Sequence, residues 1–324
     1  MTGGQNRSAE CCACAVLVLN WNGAAHLRLL LPSLRVAVAR YPGAMRVVVV
    51  DNRSTEPDVA IVEREFPEVE VVVAASNDFL FSLNPIVASC PEPVVIILNN
   101  DMRVDPGFVA PLVRHFGDPS VFAATANVFD WDGVRRTTGQ RRMALRRWWF
   151  YKWWDLTVTE PVYTLDAGGG CAAFRRDRFV SLGGFDPLYR PAYYEDVDLS
   201  YRAWMRGWRT VFEPASVIYH REAATMRDVT REAQFQTLLA RNHILFTIKN
   251  IGGWGFLAGF LALVPLRLLT SVLRGDRTTA RGLLAAMPRL GAAVRARKGL
   301  DRRAVLTPRA IAAASSARLE QVVA

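Results

Sequence analysis

The densest chemical stretch of the chain is Glu195-Asp196-Val197-Asp198-Leu199, which places three carboxyl groups within four residues. Carboxylates this close raise one another's proton affinity and move one of them toward the range where a general base works near neutral pH. Glu195 and Asp198 are three apart and would share one side of a helix start, where the helix dipole alone also favours acids. Two further acids, Asp51 and Asp101, follow the apolar runs VVVV and VVIIL. A carboxylate at such a place is an acceptor-only group that can take an N–H or a hard cation. It can equally be a turn-former after a strand. For Asp101 the competing role is the N-cap of a helix starting near Pro106, which Asp105 fits better. His220 closes the short run VIYH. A neutral imidazole there is a good ligand for Mn2+ and a fair one beside Mg2+.

Groups so far apart in sequence need a scaffold that gathers them. Residues 15–20, 47–50, 69–74 and 94–98 read as short buried strands, with helical patterns over 24–40 and 57–66. Strands alternating with helices at this spacing predict right-handed βαβ units, an α/β class and a mainly parallel sheet with helices on both faces. Continuous apolar strands are buried on both faces, and ligands of such sheets bind beyond the strands' carboxyl ends. The polar groups found there are Asn20 and Asn22, Asp51, Ser76 and Asn77, and Asp101. Residues 135–154 hold seven Lys/Arg and four Trp with no acid, and read as an exposed loop or short helix. Interleaved Trp and Arg could stack on sugars, hold a lipid diphosphate or sit at a membrane interface. Gly168-Gly169-Gly170 then breaks the chain before a short segment at 174–182. A helix is expected over 195–206, strands over 210–212 and 217–219, and a helix over 228–250.

In order, VLVLNWNG, VVVVDNRST, ILNNDM, AGGGCAAFRRDRFVSLGGFD, YYEDVDLSYR and VIYH resemble the motifs of family 2 glycosyltransferases with the GT-A fold, in their rhamnosyltransferase-like branch. The resemblance covers about residues 15–250 and rests on the order and spacing of the motifs. It implies an inverting, non-processive, metal-dependent enzyme moving one sugar from a nucleotide-diphospho-sugar. The donor would be a dTDP- or UDP-sugar, dTDP-rhamnose among them. The acceptor would be a hydroxyl of a polyprenyl-diphosphate-linked or cell-surface glycan. On the matching positions, Asp51 would accept the ring N–H of uracil or thymine, and Asp196, second acid of the pair, would be the base. Asp101 and His220 would share a divalent cation, Mg2+ or Mn2+. The donor site would comprise Asn20, Asn22, Asp51, Asn77, Asn100 and Asp101, and the acceptor site Glu195, Gly169, Trp148 and Trp149. Asn99 stands where the family's metal triplet begins with Asp, which thins the anionic ligand set. Asn77-Asp78 and Asn84-Pro85 stand where the family often has Asn-Gly, and Pro fixes φ and removes a donor. The Gln-X-X-Arg-Trp motif of processive synthases is not present; RAWMRGW lies nearby, so a polymerase is not expected.

The chain has 324 residues, 51% hydrophobic, enough for one large α/β domain with an appendage. Its net charge of +10 is uneven: residues 251–324 carry twelve Lys/Arg against three acids, whereas the first 250 carry 28 against 27. The basic excess follows an apolar stretch from Ile251 to Leu273, interrupted by Arg267, which is borderline for a span. That order favours an anionic membrane surface over nucleic acid, for which no motif is seen. Peripheral or re-entrant attachment at the cytoplasmic face of the inner membrane is expected. The expected organisation is a disordered tail over 1–13, a catalytic domain over 14–250 and an apolar, then basic, helical region over 251–324. The polar first ten residues argue against a cleaved signal peptide, and five cysteines without paired spacing read as plain thiols. A homo-oligomer is left open. The rival reading is a glycosyltransferase-like protein that binds a nucleotide-sugar or a partner without turnover.

Overall fold

The computed structural model describes residues 12–221, 232–301 and 304–319. Most of the tail expected over 1–13 lies outside the described residues. β1 (Cys14–Asn20) is apolar until its last residue and buried except at the half-buried Leu19. α1 (Ala24–Arg40) turns Leu27, Leu30, Leu31, Leu34 and Ala37 inward, the three-and-four spacing of one helical face. β2 (Met45–Asp51), α2 (Asp58–Glu65), β3 (Glu70–Val73), α3 (Leu83–Ser89) and β4 (Val94–Asn99) follow the expected alternation. Then come β5 (Met102–Val104), α4 (Val109–Val113), β6 (Val121–Asp130), β7 (Gln140–Arg146), β8 (Trp149–Asp155), β9 (Val162–Tyr163) and β10 (Cys171–Arg175). The remainder is α5 (Arg176–Ser181), α6 (Glu195–Met205), β11 (Arg209–His220) and five helices. These are α7 (Glu232–Asn250), α8 (Trp254–Leu273), α9 (Thr278–Ala286), α10 (Leu290–Asp301) and α11 (Pro308–Ala314).

The large sheet runs β3-β2-β1-β4-β10-β6-β11-β5, with β9 also paired to β11. Its first half is parallel, with Asn20 opposite Asp51 and Leu19 opposite Asn99, so three polar strand ends meet on one edge. The second half is mixed: β10 runs antiparallel to β4 and β6, and β11 is parallel to β6 but antiparallel to β5. The strands β5, β6 and β9 do not stand out in the sequence. β6 is the longest of them, and its VFAATANVFD mixes small and polar residues that are nonetheless buried over most of its length.

Two local expectations are corrected. Residues 135–154 are not a loop or short helix. They contain most of an antiparallel hairpin in which Arg141 faces Trp154, Met143 faces Lys152 and Leu145 faces Phe150. The period-two alternation is there, but charged residues occupy the half-buried face and mask it. The two strands expected at 210–212 and 217–219 are one strand, β11, irregular between Glu213 and Val217. The buried Glu213 holds that irregularity, accepting from Ala215 N (2.9 Å) and from Arg114 Nη2 (2.7 Å), with His115 Nε2 at 2.6 Å. The helix expected over 228–250 is α7, described from Glu232 onward.

One buried charge ties α6 and α7 together. Asp198 accepts from Tyr189 Oη (2.9 Å), Arg202 Nε (2.6 Å), Lys249 Nζ (2.7 Å) and Asn250 Nδ2 (2.8 Å). Burial alone would raise its pKa, but Lys249 and Arg202 win and hold it below the usual carboxylate range. Because the folded value is depressed, the stabilisation is present above the ordinary Asp value and is lost as acid protonates the native carboxylate. Asp198→Ala leaves Arg202 buried without its anion and Lys249 with Asp186 alone. It should lower unfolding free energy by about 3–5 kcal/mol in urea titrations; a loss within experimental error would show that the network stabilises nothing.

Candidate active site

The first group of site residues lies where β1 and β2 end. Asn20 Nδ2 donates to Asp58 Oδ2 (2.8 Å), and Asn20 Oδ1 accepts from Asn100 Nδ2 (2.7 Å). Asp58 Oδ2 also accepts from Gly23 N at 2.6 Å, which fixes the entry to α1. Gly23 is required there, because a Cβ would fall 1.9 Å from Asn100 Nδ2. Asp51 is buried and accepts from Ser54 Oγ (2.5 Å) and Ser54 N (3.1 Å). A carboxylate has about four acceptor sites, so a base N–H can still be taken. Asn22 sits on the surface with its amide bonded to Thr55 (2.9 Å and 2.8 Å), and Asn77 is exposed in the loop after β3. Asp58 was not singled out in the sequence, since an acid in a helix's first turn is ordinary.

The second group is made by the β5–β11 pairing, which sets His220 opposite Met102 and beside Asp101. Asp101 Oδ2 lies 3.2 Å from His220 Nε2, while Asp101 Oδ1 is buried without a hydrogen-bond partner. Among the described residues no cluster of three or more His, Cys, Asp or Glu gathers as a metal site. Two protein ligands and an orphaned carboxylate oxygen nevertheless suit a hard cation that takes its other ligands from a diphosphate and water. Asn99 is held elsewhere: its N donates to Gly170 O (3.1 Å), and its side chain packs where a Gly170 Cβ would lie.

The third group surrounds the start of α6. Tyr193 and Tyr194 both adopt left-handed backbone, with φ 71° and 73°, and throw the first-turn acids inward. Asp196 keeps some solvent access and accepts from Val197 N at 2.7 Å. Burial and the Asp166 carboxylate raise its pKa, while the Lys152 and Arg141 cations pull it back. Glu195 is pushed up to about 8 by burial and by Asp196, and its Oε2 is buried without a hydrogen-bond partner. With two buried acids side by side, burial and their mutual repulsion favour one shared proton over two charges. Gly169 roofs the pair: a Cβ on it would sit 3.6 Å from Asp196 Cβ and 2.5 Å from Leu80 Cδ1. The triple glycine is therefore the wall between the β4 end and the base.

Lys152, Arg141 and Asp166 are residues that sequence reasoning passed over. Lys152 Nζ lies 4.8 Å from the centre of the Tyr194 ring, and Arg141 stacks on Trp154 at 3.3 Å while its Nε faces Asp166 Oδ1 at 3.5 Å. The hairpin's alternation could have placed Lys152 and Arg141 on one face, whereas nothing local marks Asp166. The two Trp expected at the acceptor site are placed differently. Trp149 stacks on His243 (4.8 Å) and Phe260 (5.3 Å), and Trp148 covers Gly259 of α8. They pack on helices α7 and α8 because the hairpin tip points there; its inward face reaches the acids through Lys152 and Arg141.

A mixed sheet whose parallel strand ends face an acid-lined helix start is the GT-A fold. Solved structures share it: GalNAc-T7 with UDP, GalNAc and Mn2+ matches at TM-score 0.58 and 17% identity over 79% of this chain, which spans about half (51%) of that structure. A mannosyltransferase from Pyrobaculum calidifontis in complex with GDP-Man and Mn2+ matches at TM-score 0.52 and 18% identity, over 90% of this chain and 76% of that one. The chain belongs to the family described as Glycosyl transferase family group 2, matched over residues 94–293. It is 27% identical over 302 residues to the N-acetylglucosaminyl-diphospho-decaprenol L-rhamnosyltransferase of Mycobacterium tuberculosis, covering 81% of this chain and 94% of that relative. An O-antigen biosynthesis protein of Myxococcus xanthus is 28% identical over 225 residues, 64% of this chain and 17% of its own length.

The Glu195 shift carries a stability consequence. Its folded pKa, about 8, lies above the ordinary 4.5, so the native state binds the extra proton between those values and stability falls as pH rises through them. Glu195→Gln should therefore melt with the parent at pH 4.5 and above it at pH 8, window limits set by that same shift. Parallel melting curves across the range would remove the assignment.

Proposed function

We propose that this chain is an inverting, non-processive glycosyltransferase. It would move one sugar from a dTDP- or UDP-sugar to a hydroxyl of a polyprenyl-diphosphate-linked glycan, at the cytoplasmic face of the membrane. The observation that carries the reading is the glycine wall of 168–170, with the Asn99–Asp101 strand end on one side and Asp196 on the other. The mycobacterial relative's printed name, a rhamnosyltransferase of a diphospho-decaprenol, supports the lipid-linked acceptor and makes dTDP-rhamnose the first donor to try. Residues 14–250 would be the catalytic part and those after 250 the attachment.

Asp196 takes the proton of the acceptor hydroxyl as that oxygen attacks the anomeric carbon, and the bond to the nucleoside diphosphate breaks on the opposite face. One base and one displacement invert the centre. Glu195, holding its proton, contributes a donor to the acceptor rather than a second negative charge. Lys152 and Arg141 favour the Asp196 carboxylate and offset part of the effect of burial. Asp51 accepts the base N–H, within the frame that Asn20, Asn22, Asn77 and Asn100 build around the donor. A divalent cation held by Asp101 and His220 would offset the charge of the departing diphosphate.

Nucleoside diphosphate release from a panel of nucleotide-sugars with Mn2+ and a polyprenyl-diphosphate glycan tests the reading directly. Asp196→Asn should fold and bind donor but lose about 10²–10⁴ in kcat; near-normal transfer would overturn its role. Chelator should abolish transfer and Mn2+ or Mg2+ restore it, with Asp101→Asn needing more metal. Full activity in excess chelator would leave Asp101 and His220 without a cation to hold.

A further inference from the structure

α8 is a 20-residue helix with mean hydropathy 2.0 over its best window, of which 17% is buried. By length it could cross a bilayer, at about 1.5 Å per residue. Its surroundings oppose this. At its start, Arg297 Nη1 donates to Ile248 O (2.7 Å) and Ile251 O (3.2 Å), binding the 251–253 link to α10. At its end, Ser271 bonds Asp276 O, and α9 packs so closely on α7 that a Gly282 Cβ would lie 2.5 Å from that of Ala240. Its middle is held as well: Phe260 stacks on Trp149, and Arg267 Nη2 donates to Arg147 O at 2.9 Å with its guanidinium 4.0 Å above the Trp149 ring. A spanning α8 would pull the hairpin's polar backbone edges and two arginines into hydrocarbon, where unsatisfied peptide groups cost several kcal/mol each.

Yet its outer face is apolar and open: Leu261, Leu266, Leu269, Val272 and Leu273 are more than half exposed. Beside it, the hairpin presents Trp148, Tyr151 and Trp153, each more than 40% exposed. Its tip, Arg147-Trp148, takes left-handed φ at both residues (48° and 57°), a two-residue turn normally given to Asn-Gly. Bulky residues there cost on the order of 1 kcal/mol each, so something other than turn-making accounts for them. An open groove of about 660 Å³ on the outward face is lined by Ala144, Arg146, Arg147, Tyr151 and Trp153. Exposed Arg146 and Arg147 line that groove, and exposed Arg274, Arg277 and Arg281 follow α8 in the chain with one exposed acid, Asp276, among them. Aromatic side chains and arginines around an apolar stripe match the headgroup zone of an anionic leaflet.

We infer that the outward face of the β7–β8 hairpin and the outer face of α8 form one docking surface on an anionic bilayer, with α8 lying in the membrane plane. The inference deepens the membrane attachment proposed above and rests on it. Flotation of the full-length protein with vesicles of phosphatidylcholine, with and without phosphatidylglycerol, tests it. The parent should float with anionic vesicles and only partly detach in 1 M salt, where the Debye length is about 3 Å. Tyr151→Ser with Trp153→Ser, which leaves the tip clamped to α8, should weaken binding roughly tenfold or more. Arg274, Arg277 and Arg281 changed together to Gln should remove most of the preference for phosphatidylglycerol. Parent-like binding of the Tyr151/Trp153 variant would exclude the hairpin. Spin labels at Leu261, Leu269 and Leu273 that report depths crossing the bilayer centre, rather than one shallow depth, would exclude the in-plane helix. A parent that ignores vesicles but dimerises through Trp153 would give the face to a second copy and overturn the proposal. Transfer to a detergent-dispersed acceptor is measured in parallel: transfer without vesicle binding sinks the docking surface alone, and vesicle binding without transfer sinks the enzymatic reading alone.

Discussion

A carboxylate shut away from water has to be neutralised where it sits, and Asp198 is neutralised by groups from both helices and from the turn before α6. Arg202 comes from the next turn of α6, Tyr189 from the turn before it, and Lys249 with Asn250 from the end of α7. Lys249 also reaches Asp186 at 2.5 Å, so the same cation ties down the start of the turn that carries Tyr189. The position of α6 is thereby set from three directions, and the acids in its first turn inherit that position. Asn242 of α7 adds to this hold on the left-handed Tyr193 and Tyr194, donating to Tyr193 O (2.7 Å) and Ala192 O (2.8 Å).

Three neighbouring acids consequently have three different fates. Asp198 faces inward, and Lys249 and Arg202 hold its carboxyl below the usual carboxylate range. Glu195 is equally buried but meets no cation, so it keeps its proton to about pH 8. Asp196 lies between these extremes, pushed up by burial and Asp166 and drawn down by Lys152 and Arg141. The separation comes entirely from what the surrounding elements bring to each side chain. It is the pattern by which acid and base duties are divided among like groups.

Much of this was legible in the residues. The parallel half of the sheet announced itself because its strands are apolar on both faces, and the polar strand ends followed at Asn20, Asp51 and Asp101. The pairing of Asp101 with His220 was legible only as a resemblance, since the register that joins them belongs to β5, three residues long. β6 escaped notice because small and polar side chains can be buried when a strand is flanked on both sides, which periodicity does not reveal. The hairpin escaped because its alternation includes arginines and a lysine, which read as surface residues although Lys152 and Arg141 turn toward Tyr194 and Asp166. Lys152 and Asp166 were illegible for a simpler reason: their importance lies in what faces them, and nothing local in the sequence encodes that.

The clamp between the hairpin tip and α8 also orders events during synthesis. Trp148 and Trp149 leave the ribosome more than a hundred residues before Gly259 and Phe260, the groups that cover them. At ordinary elongation speeds the tip waits about ten seconds with its aromatic faces uncovered. Over that interval α7 too lacks α9 and α10, so the helix that supplies Lys249 to Asp198 is not yet backed. The cleft is therefore completed from the carboxyl end of the chain. A nascent protein has its strand ends in place long before it has a finished helix start, and it becomes a whole enzyme only when its last helices have closed over the hairpin.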